Sequence, residues 1–212
     1  MDRGDRVLRG SGVAAVVLTM VAILVATVLS PAFSWTGNAL SNLGVTETAA
    51  GTGLTVVLFN GGLILGGLLG LGFAVALARA AVSLAGRATA LSFGLAVVFM
   101  ALVGVFPQNT TPHFPVALGF YLLVSVTLWL DGLTALGQGW RQRGLVAVTF
   151  GTANLAGWLV WGLTGPPTRA GLAIPELWGA LLFSVWTGWI SVGLLRNRWL
   201  PSDRTDQSDA GV

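Results

Sequence analysis

The chain has one histidine, His113, and few other groups suited to chemistry, so the arrangement of those few is the first thing to read. His113 ends the stretch Val103-Gly104-Val105-Phe106-Pro107-Gln108-Asn109-Thr110-Thr111-Pro112-His113, and prolines on both sides restrict the backbone that carries the ring. An imidazole held this way reads either as a hydrogen-bonded group at a helix start or as a base or ligand contact. Glu47 and Glu176 are the carboxylates that would share a proton with it, and Arg169 is the cation that would hold an anionic group. Asn38, Ser41, Asn42, Asn60 and Tyr121 complete the candidate binding set. One histidine and two separated glutamates are too few for a metal centre, and no H-E-x-x-H pair exists, so no metal and no other cofactor is expected. There is no G-x-S-x-G elbow, phosphate loop or dinucleotide fingerprint. Absence of cysteine removes thiolate chemistry, and absence of lysine removes Schiff bases.

Two further polar residues lie inside apolar stretches. Asp131 follows His113 by 18 residues. That is five helical turns, so both fall on one face, roughly 27 Å apart. Two readings stay open: Asp131 pairs with an arginine such as Arg79, Arg87 or Arg141, or it forms one end of a proton or solute path. Asn154 would serve either as an interhelical hydrogen bond.

The elements that must position these groups are membrane spans. Of 212 residues, 54% are hydrophobic and only 9% charged, a composition that excludes an ordinary soluble domain. Six apolar stretches, 12–30, 52–78, 88–106, 114–137, 144–164 and 172–195, each reach the roughly 20 residues a spanning helix needs. Long Leu/Val/Ala/Gly runs without two-residue alternation argue against a barrel. The expectation is an all-α, polytopic integral membrane protein: a six-helix domain over 12–195, a cytoplasmic segment over 1–11, and a disordered cytoplasmic tail over 196–212. A cleaved signal peptide is the rival for the first stretch, but its apolar run is long and lacks a clean A-x-A site.

Arg3, Arg6, Arg9, Arg79, Arg87, Arg141, Arg143, Arg196, Arg198 and Arg204 fall on one side of such a bundle, leaving Arg169 alone on the other. The positive-inside rule then places both termini in the cytoplasm of a multi-pass protein of the cell membrane. It also accounts for the high pI without nucleic acid as a partner. Membrane lipids are the expected partners. Gly62, Gly66 and Gly70 form a smooth helical face that suits either packing within the bundle or association of two copies. Trp178, Leu182, Trp186 and Trp189 form a stripe on the last span, read as lipid-facing surface or packing. The loop over 31–51 carries Trp35, Leu40 and Leu43 among small polar side chains. It is expected to fold back as a re-entrant or amphipathic piece, or to lie at the interface anchored by Trp35.

Asn38-Ala39-Leu40-Ser41-Asn42-Leu43-Gly44, Leu58-Phe59-Asn60-Gly61-Gly62-Leu63-Ile64 and Gly104-Val105-Phe106-Pro107 followed by Pro112-His113 and Ala117 resemble the archaeal and bacterial membrane family catalogued as domain of unknown function 998. The resemblance runs from about residue 12 to residue 195 and implies six spans; it carries no activity. The layout is also similar to the eukaryotic Frag/DRAM/Sfk group, some of which act in lipid remodelling or organisation, at the level of fold alone. The functional expectation is a polar pocket on the outer side that binds a lipid head group or small polar solute. The alternatives are a proton-coupled transporter, a lipid-modifying enzyme and a structural or assembly protein.

Overall fold

The structure is a computed structural model that describes residues 1–164 and 171–199. Every regular element in the described residues is helical: α1 (Arg3–Val28), α2 (Gly53–Ala80), α3 (Leu84–Val105), α4 (His113–Gly137), α5 (Arg141–Thr164) and α6 (Ala173–Leu195), with a short 3-10 helix, η1 (Leu40–Gly44), between α1 and α2. All six α-helices are long and apolar enough to cross a membrane. Each packs against its neighbours in sequence, and α1 packs against α6, so the helices close into a ring. The turns after α2 and α4 share one end of the bundle with the start of α1 and the end of α6 (the termini end). The loop carrying η1 and the turn between α3 and α4 form the distal end.

Local signals set the boundaries. Asp2 caps α1 by accepting the Asp5 N–H at 2.7 Å, so the helix begins at Arg3 rather than at residue 12. Thr52 and Ser83 cap α2 and α3 in the same way. The expected tail lies mostly outside the described residues; 196–199 form a turn after α6.

Lipid tails are as apolar as leucine, so helices in a bilayer are held by close packing and interhelical hydrogen bonds rather than by burial from water. Small residues recur at the seams accordingly. A Cβ on Gly62 or Gly66 would run into Ala22 and Thr19 of α1, and one on Gly70 would press Val97 of α3 at 2.8 Å. The glycine face is thus covered by α1 and α3 of the same chain, and a second copy would reach it only by displacing them. The core towards the termini end is aromatic: Phe73, Phe93 and Trp186 are fully buried, with Phe93 set edge-on to Phe73 at 5.4 Å and Phe183 stacked on Trp186.

The tryptophan stripe divides. Trp178 is exposed and its indole donates to the Ala153 carbonyl, whereas Trp186 is at the centre of the core. The loop before α2 folds back onto the bundle, with Leu40, Leu43 and Ala50 buried and Trp35 exposed beside Phe33.

Candidate functional site

The distal end is built by stitching η1 and the loop before it to α6, to α2 and to the turn after α3. The first N–H groups of a helix have no partner within it, and α6 has no side-chain cap. The loop supplies what is missing: the Asn38 carbonyl accepts the Ala173 N–H at 2.9 Å. In return the Glu176 carboxylate, one turn into α6, accepts the Leu40 N–H at 2.5 Å. Asn60 of α2 donates to the Gly44 carbonyl at 2.9 Å, and Gly44 lies so close to Phe59 and Asn60 that a side chain there would collide. Asn42 accepts the Ala39 N–H at 2.7 Å and donates to Gln108, in the turn after α3, at 2.5 Å.

His113 opens α4 and is buried. Its Nδ1 lies 2.8 Å from the carbonyl of Phe106, the residue that ends α3. A carbonyl only accepts, so Nδ1 carries the proton, and the tautomer that this contact selects has its lone pair on Nε2.

Beneath η1 a cavity of about 70 Å³ lies between α1, α2, α3, α4 and α6. On this scale about 10–15 Å³ holds one water, so the space exceeds what a single solvent molecule fills. Its walls are apolar, with Ile23, Phe59, Leu63, Phe93, Val97, Met100, Phe120 and Phe183 among them. Ser41, His113, Tyr121 and Glu176 contribute to its distal part, and Thr19, Ser184 and Thr187 lie deeper. The hydroxyl of Tyr121 donates to the Glu176 carbonyl at 3.1 Å, tying α4 to α6 beside the cavity.

Four of the nine residues expected at a binding site therefore meet at one cavity. Asn38, Asn42 and Asn60 are not among its lining residues; they hold the loop, and Asn38 also accepts the Ser34 N–H at 2.8 Å. Glu47 is exposed, with Thr46 and Asn109 as its partners. Arg169 lies outside the described residues. The apolar walls were not anticipated, because the residues that form them look like any other span residue.

Asn154 is 1% exposed and donates to the Tyr121 carbonyl at 3.0 Å and to the Ser125 hydroxyl at 2.8 Å, an interhelical bond between α5 and α4. Asp131 lies at the termini end, paired with Arg143 through both carboxylate oxygens; Arg79 is engaged instead with Asp5 at 3.0 Å. The indole of Trp186 donates to Asp131 at 2.9 Å, and the Arg143 guanidinium lies over the rings of Trp140 and Trp199 at 5.2 and 5.5 Å. Asp131 and Arg143 also line a second, smaller cavity of about 50 Å³. Among the described residues, no three of His, Asp and Glu gather in a way that could hold a metal ion.

No curated protein and no solved structure matches this chain. One family model does, over residues 13–193, a stretch that takes in η1, His113, every residue lining the larger cavity and most of all six helices. The chain belongs to the family described as Protein of unknown function (DUF998).

Proposed function

We propose that this protein binds an amphipathic membrane lipid, with one apolar chain in the axial cavity and the polar head beside Ser41, His113, Tyr121 and Glu176. The observation that carries the reading is the composition of the cavity: apolar walls over most of its length and a polar cluster at its distal part. A small polar solute would leave those walls without a complementary surface, whereas an alkyl chain matches them. The head would meet an acceptor at the lone pair of His113 and another at the Glu176 carboxylate, which favours a head group with hydroxyl or amine donors. The arginine asymmetry supports a head at the outer leaflet, with both termini cytoplasmic.

Binding of a spin-labelled monoacylglycerol, whose head carries hydroxyl donors, tests the reading. Val97→Phe, which fills the cavity from α3, is expected to weaken binding at least ten-fold in a protein that still folds. Unchanged binding in that variant contradicts the proposal.

One observation favours a second reading, chemistry on the bound head group. His113 is oriented through Nδ1, which leaves Nε2 as the ring atom that would act as the base. Turnover of an added lipid that disappears in His113→Ala would support it. The transport reading has less support, because the Asp131 carboxylate is committed to Arg143 and Trp186.

A further inference from the structure

We propose that the ligand reaches the cavity sideways, out of the hydrocarbon of the bilayer, through the seam between α1 and α6. This rests on reading the cavity as a lipid site, and it narrows the ligand to molecules already dissolved in the membrane.

The seam joins the first and last spans and is fastened at the termini end. Arg9 donates from Nη1 to the Leu194 carbonyl at 2.7 Å and to the Asn197 side chain at 2.9 Å. Ser191 donates to the Arg9 carbonyl at 2.5 Å and accepts the Val13 N–H at 3.2 Å. Gly12 allows this approach, since a Cβ there would press Phe73 and Ser191 at 2.8–2.9 Å.

In a helix, positions seven residues apart share a face, two turns on. Carried two turns towards the distal end, the antiparallel register of Val13 with Ser191 pairs Met20 with Ser184. These two would close the seam if the helices stayed in contact. Instead both line the cavity and both are half-buried, as are Val16 and Ala180 one turn away. Among the described residues no hydrogen bond crosses between α1 and α6 on the distal side of Val13. The two helices thus part from a fastened end, and the cavity lies in the opening.

The surroundings of the seam are apolar. Val17, Val21 and Leu24 on α1 and Leu181 and Val185 on α6 are exposed, as suits side chains in contact with lipid. The other approach, from water over the distal end, is roofed. Leu40 and Leu43 are 3% and 0% exposed there, and η1 is held in place by donating to Glu176 and Gln108 and by accepting from Asn60. Just inside the seam, the Thr187 hydroxyl is buried and without a partner among the described residues. An unmade buried hydrogen bond is costly, and a hydroxyl or ester oxygen along the incoming chain would satisfy it.

The chain has no cysteine, so pairs can be introduced cleanly. Met20→Cys/Ser184→Cys closes the seam, and Asn42→Cys/Gln108→Cys locks the roof. Where the thiols stand too far apart for a disulfide, a short bifunctional thiol reagent bridges them. Each reconstituted variant is loaded with a spin-labelled monoacylglycerol, and its exchange with phosphatidylcholine vesicles is timed before and after cross-linking. The expected result is exchange slowed at least ten-fold by the closed seam and unchanged by the locked roof. Ser184→Trp, which plugs the seam without a cross-link, should slow exchange in the same way. Slowing by the roof and not by the seam overturns the lateral route while leaving the lipid site intact. Failure of the wild-type protein to retain the probe removes the lipid reading itself, and this proposal with it.

Discussion

The Glu176 carboxylate accepts the backbone N–H of Leu40 at 2.5 Å, so the loop after the first span is fastened to the first turn of the last. Both residues are buried, and the bond closes the distal end over the axial cavity. Leaving a buried N–H unsatisfied costs about 1–3 kcal/mol. Glu176→Ala is expected to lose stability in that range and to speed hydrogen exchange at Leu40 and its neighbours in η1. Glu176→Gln keeps an acceptor and should retain most of the protection. Equal exchange in all three proteins would mean that the contact does not hold the loop.

At the opposite end, Asp131 holds Arg143 and the indole of Trp186. Removing one member of a buried pair leaves the other charge uncompensated, at a cost of about 3–5 kcal/mol. Asp131→Ala should lower the thermal midpoint sharply and change the emission of Trp186. Replacing both partners, as Asp131→Leu/Arg143→Met, should cost less than Asp131→Ala alone. A double variant less stable than the single one would contradict the pairing.

The glycines of α2 separate by what they touch. Gly66 faces Thr19 of α1 and Met100 of α3, so Gly66→Leu is expected to destabilise by overpacking, about 1–3 kcal/mol or more. Gly61 has nothing within 4 Å, and Gly61→Ala should gain up to about 1 kcal/mol from helix propensity. Thermal unfolding in detergent distinguishes them. Equal effects at the two positions would remove the packing explanation of the glycine face.

Membrane orientation is open to direct labelling. A cysteine at Thr46, exposed at the distal end, should react with an impermeant reagent on intact cells, and one at Ser83 only after permeabilisation. The opposite pattern would overturn the arginine reading and turn the polar part of the cavity towards the cytoplasm.

What the sequence discloses and what it hides follow from the physics of each feature. The spans are legible because a bilayer demands long apolar runs, and the observed helices match them within a few residues except at α1. There Asp2 caps a helix that continues past the apolar stretch through charged residues, which hydropathy does not register. The convergence of Ser41, His113, Tyr121 and Glu176 is partly legible, since polar groups within spans seek one another. The asparagines misled for a related reason. Asn38, Asn42 and Asn60 are equally polar, but apart from the Gln108 side chain beside Asn42 their partners are backbone groups of a folded loop, and composition does not distinguish a backbone partner from a ligand. Arg143 as the partner of Asp131 depends on the register of α4 against α5, which the close contacts of Gly132 and Gly144 set. The cavity itself depends on how five helices pack around it, a property of no single residue.

Native mass spectrometry of the purified protein, with His113→Ala and Val97→Phe beside it, asks whether the cavity holds a lipid. A bound lipid is expected on the wild-type chain. Its occupancy should fall about ten-fold, or about 1.4 kcal/mol, when His113 is removed. Filling the cavity with Val97→Phe should abolish it. A wild-type chain that carries no lipid, or one carried equally by all three proteins, would contradict the proposed lipid site.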